Sequence, residues 1–232
     1  MKLRDMGQSS LSYRIKKSNR KTLSIYIEPS GKITVLAPGH KTDAEIESAI
    51  ESKKLQIYRK IAEFEELTQT QKVRELVGGE SYLYLGRNYR LNFVESQDVA
   101  LKIVNGYFSL RLSDKHDANE VFKDYYRKKG MMKISERIKI YQQQMGVKFS
   151  SLKVMDLQNR WASYSSKTEN LCFNWKCIML PIDILDYVVV HELAHIKYAN
   201  HSAEFWSEVD KIIPDYAKRK IWLRYNGANI DL

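Results

Sequence analysis

The residues of this chain best suited to chemistry are His191, Glu192 and His195, in the run His191-Glu192-Leu193-Ala194-His195, with His201 close behind. On a helix, residues four apart stack on one face with Cβ atoms about 5–6 Å apart. Two imidazoles so placed can converge on one ion at Zn–N distances of about 2.0–2.1 Å. Glu192 falls on the adjoining flank, where it can reach a water on that ion without being a ligand. This spacing predicts a Zn²⁺ site with a proton acceptor beside it, the arrangement used for metal-assisted peptide hydrolysis.

The elements that must position these groups can be read outward from the motif. Residues 182–190 are apolar nearly throughout, which predicts a helix buried on all sides. Burying two imidazoles and a carboxylate is costly unless each finds a partner, and a bound dication would satisfy all three. Pro181 suits the start of this helix because its missing N–H costs nothing there. His201 lies past the expected helix end near Ala199-Asn200, where the chain can turn back toward the ion. Ser202 reads as the N-cap of a following helix containing Phe205, Trp206 and Val209. Glu204 and Glu208 on that helix are rivals to His201 as third ligand. Phe205, Trp206, Trp222, Tyr216 and Tyr225 read as packing, although a phenol near the ion could assist an oxyanion.

Further upstream, residues 11–17, 23–28 and 32–36 alternate apolar and polar side chains, with a Pro29-Ser30-Gly31 turn before the third segment. Thr42 or Asp43 can cap one helix running through Ile46, Ile50, Leu55, Ile57, Ile61 and Phe64. A polar stretch, 68–72, follows. Residues 80–112 carry a second strand set, turning at Gly86-Arg87-Asn88 and Asn105-Gly106. A long helix is expected over 119–145, burying Val121, Tyr125, Met132, Ile138 and Tyr141 and stopping at Gly146. Short strands over 151–157 and 170–177 precede the motif helix. The fold class is α+β, a β-rich N-terminal part followed by a helix–strands–helix unit.

Composition narrows the function classes. The 232 residues are 44% hydrophobic and 28% charged, as in an ordinary globular protein. No apolar stretch approaches the roughly 18–20 residues of a membrane span, and the N-terminus has no apolar signal core, so a cytoplasmic location and no membrane partner are expected. Cys172 and Cys177 would fall on opposite faces of a strand and have no further cysteine to complete a metal set, so they read as buried free thiols. The net charge of +10 comes from dispersed lysines and arginines. It is compatible with solvated faces or with a nucleic-acid partner.

The segment from Tyr187 to His195, then Asn200-His201-Ser202, Phe205-Trp206 and Pro214-Asp215-Tyr216, resembles the YgjP-like metallopeptidase family, relatives of the SprT-like zinc proteases. Arg160-Trp161-Ala162-Ser163-Tyr164, Asn174-Trp175 and Leu180-Pro181 extend the likeness, and Leu85-Gly86-Arg87-Asn88-Tyr89-Arg90-Leu91 is its best N-terminal trace. Ala162 and Tyr164 stand where that family usually has Gly and Cys, which bears on the pocket wall rather than on the metal. The expected organisation is a β-rich region with one helix over 1–115 and a zincin-like metallopeptidase domain over 116–232, or one continuous domain. The resemblance favours His201 as third ligand with His191 and His195, and it implies that Glu192 activates a zinc-bound water against a peptide or protein substrate. The 170–175 strand is expected to be an edge that pairs with an extended substrate. Arg160 is a candidate for holding a substrate carbonyl or carboxylate, or for a structural ion pair. A DNA-associated SprT-like protease, or a basic nucleic-acid-binding module with a structural zinc, is the alternative.

Overall fold

A computed structural model describes residues 11–27, 32–68, 75–157 and 160–232, with the backbone alone at 63–68. The expected turn at 29–31, the side chain of Phe64 and most of the polar stretch 68–72 lie outside the described residues. The chain divides into two compact units, Met1–Lys72 and Val73–Leu232.

In the first unit, β1 (Tyr13–Ser18), β2 (Ser24–Ile27) and β3 (Ile33–Pro38) form a sheet of order β1-β3-β2. β3 runs parallel to β1 and antiparallel to β2. Alternation along β3 sends Ile33, Val35 and Ala37 to one face, where they pack with Ile46, Ile50 and Ile57. Those isoleucines come from α1 (Asp43–Glu51) and α2 (Lys54–Thr68). Thr42 and Glu45 close a capping box at the start of α1. The single helix expected here is two, because Lys53 N–H bonds back only three residues, to the Ile50 carbonyl, and tightens the turn.

The second unit opens with β4 (Ser81–Tyr84), β5 (Arg87–Val94), β6 (Leu101–Val104) and β7 (Tyr107–Arg111), in the order β4-β5-β7-β6. Leu85-Gly86 and Asn105-Gly106 make the hairpin turns, all with positive φ. The first turn therefore begins one residue earlier than the sequence suggests. Tyr82 and Phe108 of this sheet pack on Phe122 of the long helix α3 (Ala118–Met145), so sheet and helix share one core.

Gly146, at φ 63°, ends α3 as expected. The buried stripe is Phe122, Tyr126, Gly130, Ile134 and Ile138. Val121, Tyr125 and Tyr141 are only partly buried. Met132 is 61% exposed, because it lies two residues from Ile134 and so projects roughly opposite the stripe.

β8 (Ser151–Met155), β9 (Ala162–Ser165) and β10 (Asn170–Asn174) form the third sheet, ordered β8-β10-β9. β10 is therefore central, paired with β8 on one side and β9 on the other. The expectation of an edge strand at 170–175 is wrong, and β9, which has little apolar alternation to announce it, is an edge. A 3-10 turn at Trp175–Met179 contains Cys177, so the strand ends earlier than expected. Cys172 and Cys177 are both free thiols, and Cys177 is fully buried.

Three helices complete the unit: α4 (Ile182–Lys197), α5 (Ala203–Ile212) and α6 (Tyr216–Asn226). The architecture is α+β, with a helix–strands–helix unit carrying the motif. Among the described residues, no helix is long and apolar enough to cross a membrane.

Candidate metal centre

Every residue from Ile184 to Val190 of α4 is buried, so this helix is held on almost all sides. Its start is fixed by the β4–β5 hairpin. Leu85 and Gly86 donate their N–H groups to the Ile178 and Met179 carbonyls at 2.8 and 3.0 Å. A Cβ on Gly86 would lie 2.8 Å from Pro181 Cα, so only glycine allows this approach. One acid interrupts the apolar run. Asp186 accepts from Arg137 Nε at 2.6 Å and Nη2 at 2.8 Å, a bidentate tie from α4 to α3.

At the other end of α4, His191 and His195 share a face, and the chain after Lys197 turns back to bring His201 to them. Ser202 then caps α5 by accepting from Phe205 N–H. One ligand nitrogen from each of His191, His195 and His201 lies within 4.8 Å of the others. The Nε2 atoms of His191 and His201 are 3.0 Å apart. An ion with Zn–N bonds of about 2.0–2.1 Å and tetrahedral angles calls for nitrogens about 3.3 Å apart, so the donor set fits a small divalent cation. His195 Nδ1 lies 3.1 Å from the Tyr198 carbonyl, which as an N–H donor leaves Nε2 free to face the cluster. His191 Nδ1 is buried without a hydrogen-bond partner among the described residues. The Phe205 ring packs against all three imidazoles, with centroids 4.7–5.0 Å away. Trp206 stacks on His201 and on Tyr216, and the Lys220 ammonium lies 4.2 Å over the Trp206 ring.

The surroundings of His191 and His201 favour the neutral imidazole, the form that binds metal. Burial, then the neighbouring His195, His201 and Lys220, lowers the His191 pKa to about 3. Burial and the same kinds of neighbours also lower that of His201. Glu192, next along the helix from the first ligand, is buried. Burial raises its pKa to about 7, opposed by the Tyr164 backbone N–H of β9 and by the Arg160 charge.

The structure thus brings His191, His195 and His201 together. Of the rival ligands, Glu204 is exposed, and Glu208 is taken up by Lys197 and Lys211. Arg160 is exposed and makes no ion pair among the described residues. Tyr225 is 53% exposed, whereas Tyr216 packs as expected. Sequence reasoning missed Arg137 and Asp186, although an acid inside an apolar helix signals a buried partner. Tyr164, singled out as bearing on the pocket wall, meets Glu192 through its backbone N–H, a contact that its side chain does not announce.

A family model described as YgjP-like, metallopeptidase domain, matches residues 21–226. No curated protein matches the chain. Among solved structures, the metallopeptidase zymogen of Pyrococcus abyssi abylysin is 23% identical, covering 42% of this chain and 99% of its own, with a TM-score of 0.38. The metallopeptidase zymogen of Methanocaldococcus jannaschii jannalysin is 21% identical, covering 39% of this chain and 92% of its own, with a TM-score of 0.36.

Proposed function

This chain belongs to the YgjP-like metallopeptidase family, and we propose that it hydrolyses peptide bonds with zinc held by His191, His195 and His201 and with Glu192 as general base. The observation that carries this reading is the convergence of three imidazole nitrogens within 4.8 Å of one another, with a buried carboxyl next to the first of them on the same helix. A zinc ion held there would leave a fourth position for water, lower that water's pKa to about 7 and polarise the scissile carbonyl.

The chain's own residues do the rest. Glu192 accepts the proton of the attacking water and returns it to the leaving amine. Its carboxyl, lifted by burial to about 7, is suited to both halves of that transfer near neutral pH. The Tyr198 carbonyl fixes the His195 ring, and Phe205 packs against all three imidazoles. Extended substrate pairs with the free edge of β9. Asn174 N–H bonds the Trp161 carbonyl, so alternation along β9 leaves the Ala162 and Tyr164 backbone groups facing outward. A Glu192→Gln–peptide complex should show main-chain bonds to the Ala162 backbone and the Tyr164 carbonyl, the Tyr164 N–H being held by residue 192, and a peptide bound elsewhere would remove β9 from the reading.

The test of the function itself is elemental mass spectrometry on wild type and a His191→Ala/His195→Ala variant. About one zinc per chain, lost in the variant, supports the site. Little zinc in the wild type after supply and washing would overturn it.

A further inference from the structure

The histidine cluster belongs wholly to the second unit, yet the sheet of the first unit has a face whose chemistry is specific. On β3, Ile33, Val35 and Ala37 point to the helices, so Thr34 and Leu36 point away from them. Register carries that division across the sheet. Arg14 and Tyr26 flank Thr34, and Lys16 and Ser24 flank Leu36. Arg20 reaches the same face, since its Nη2 donates to Ser24 Oγ at 2.6 Å.

The charges on the two sides of this sheet are segregated. The acidic side chains described in the unit, Asp43, Glu45, Glu47 and Glu51, all lie on α1, on the helix side. Lys17, Lys41 and Lys54 pair with three of them. Arg14 and Lys16 make no ion pair among the described residues, and Arg20 Nε has no hydrogen-bond partner there. The outer face therefore carries uncompensated cations from β1 and the β1–β2 turn, with hydroxyls between them. At the β2 edge stands the Tyr26 ring, 43% exposed.

We propose that this face binds single-stranded nucleic acid, with Arg14, Lys16 and Arg20 on phosphates and the Tyr26 ring stacked on a base. Cations that track a backbone beside an aromatic platform are the two elements that single strands require. A duplex suits the face less well. A B-form major groove admits a helix or a two-stranded ribbon, and this surface is three strands wide.

The full chain is titrated into labelled single-stranded DNA and RNA of about 16 nucleotides, read by fluorescence anisotropy. Binding is expected to weaken about 20-fold between about 50 and 200 mM salt, as for roughly three phosphate contacts. Arg14→Glu/Lys16→Glu should weaken it at least about tenfold, while Lys128→Glu/Lys139→Glu on α3, an equal charge change, should not. Tyr26→Ala should cost about fivefold or more, and Tyr26→Phe should restore wild-type binding. Circular dichroism on each variant separates loss of binding from loss of fold, and the Tyr26 pair tests the face without altering charge. No binding at low salt overturns the proposal, as does equal loss in the α3 control. Tighter binding to duplex, polyglutamate or phosphatidylserine vesicles also overturns it.

Discussion

α3 and α4 lie side by side in the second unit but treat polar residues in opposite ways. α3 buries a single stripe and, Arg137 apart, leaves its charges toward water, where several pair locally: Glu120 with Lys123, Asp124 with Arg127, Lys133 with Glu136. α4 is buried nearly all round through Val190, so a polar group on it is costly unless it finds a partner beyond the helix's own turns. Asp186 finds Arg137 on α3, Glu192 finds the Tyr164 backbone on β9, and His195 finds the Tyr198 carbonyl. A polar side chain on α3 is cheap, whereas one on α4 persists only where something answers it. The proposed ligands His191 and His195 and the proposed base Glu192 stand on the helix where polarity is most expensive.

That contrast can be broken or sharpened by substitution. Glu192→Gln should lower peptidase activity by about 10²–10⁴-fold while leaving zinc content unchanged, measured by peptide turnover and elemental analysis. In metal-free protein the same substitution should alter the pH dependence of stability. A carboxyl whose folded pKa is about 7, against 4.5 unfolded, binds its proton more tightly when folded. It therefore destabilises the fold progressively as pH rises from 4.5 to 7, by about 3 kcal/mol in all. His191, shifted from 6.5 down to about 3, acts in the opposite direction, favouring the fold as pH rises from about 3 to 6.5. The difference between wild type and Glu192→Gln in urea titrations isolates the first effect, and no difference across that range would remove it.

Asp186→Asn should cost about 3 kcal/mol in urea unfolding, since it leaves the Arg137 guanidinium without its carboxylate in a mostly buried setting. Gly86→Ala should cost about 1–3 kcal/mol and weaken zinc retention. It strains a φ of +75° and drives a methyl group into Pro181 at the head of α4. Lys123→Ala should cost less than about 0.5 kcal/mol, as for other exposed pairs. If Lys123→Ala proved as damaging as Asp186→Asn, the distinction between the two helices would fail.

The same distinction explains what could be read from the chain. Features governed by neighbours in sequence were legible: the cap at Thr42, the stop at Gly146, the cap at Ser202 and the histidine spacing on α4. Features governed by distant partners were not. Ala162-Ser163-Tyr164-Ser165 has no strong apolar alternation and becomes a strand only because β10 pairs with it. β10 was expected to be an edge by likeness to zincins, and only its pairing with β8 and β9, set by partners distant in sequence, makes it central. Met132 reads as buried because an apolar side chain on a long helix cannot by itself report which stripe faces the core. Asp186 was readable in principle; its partner on α3 was not.

Cys177 sits in the turn between β10 and α4, its thiol donating to the Trp161 carbonyl and closed off from solvent. Burial, reinforced by Glu192, pushes its ionisation far above the usual thiol range, so it is inert while the packing holds. Its alkylation must therefore wait for this part of the molecule to open. Cys172, only partly covered, reacts without that wait. The chain carries two chemical timers on one short stretch, and the ratio of their rates counts how often the ground beneath α4 gives way.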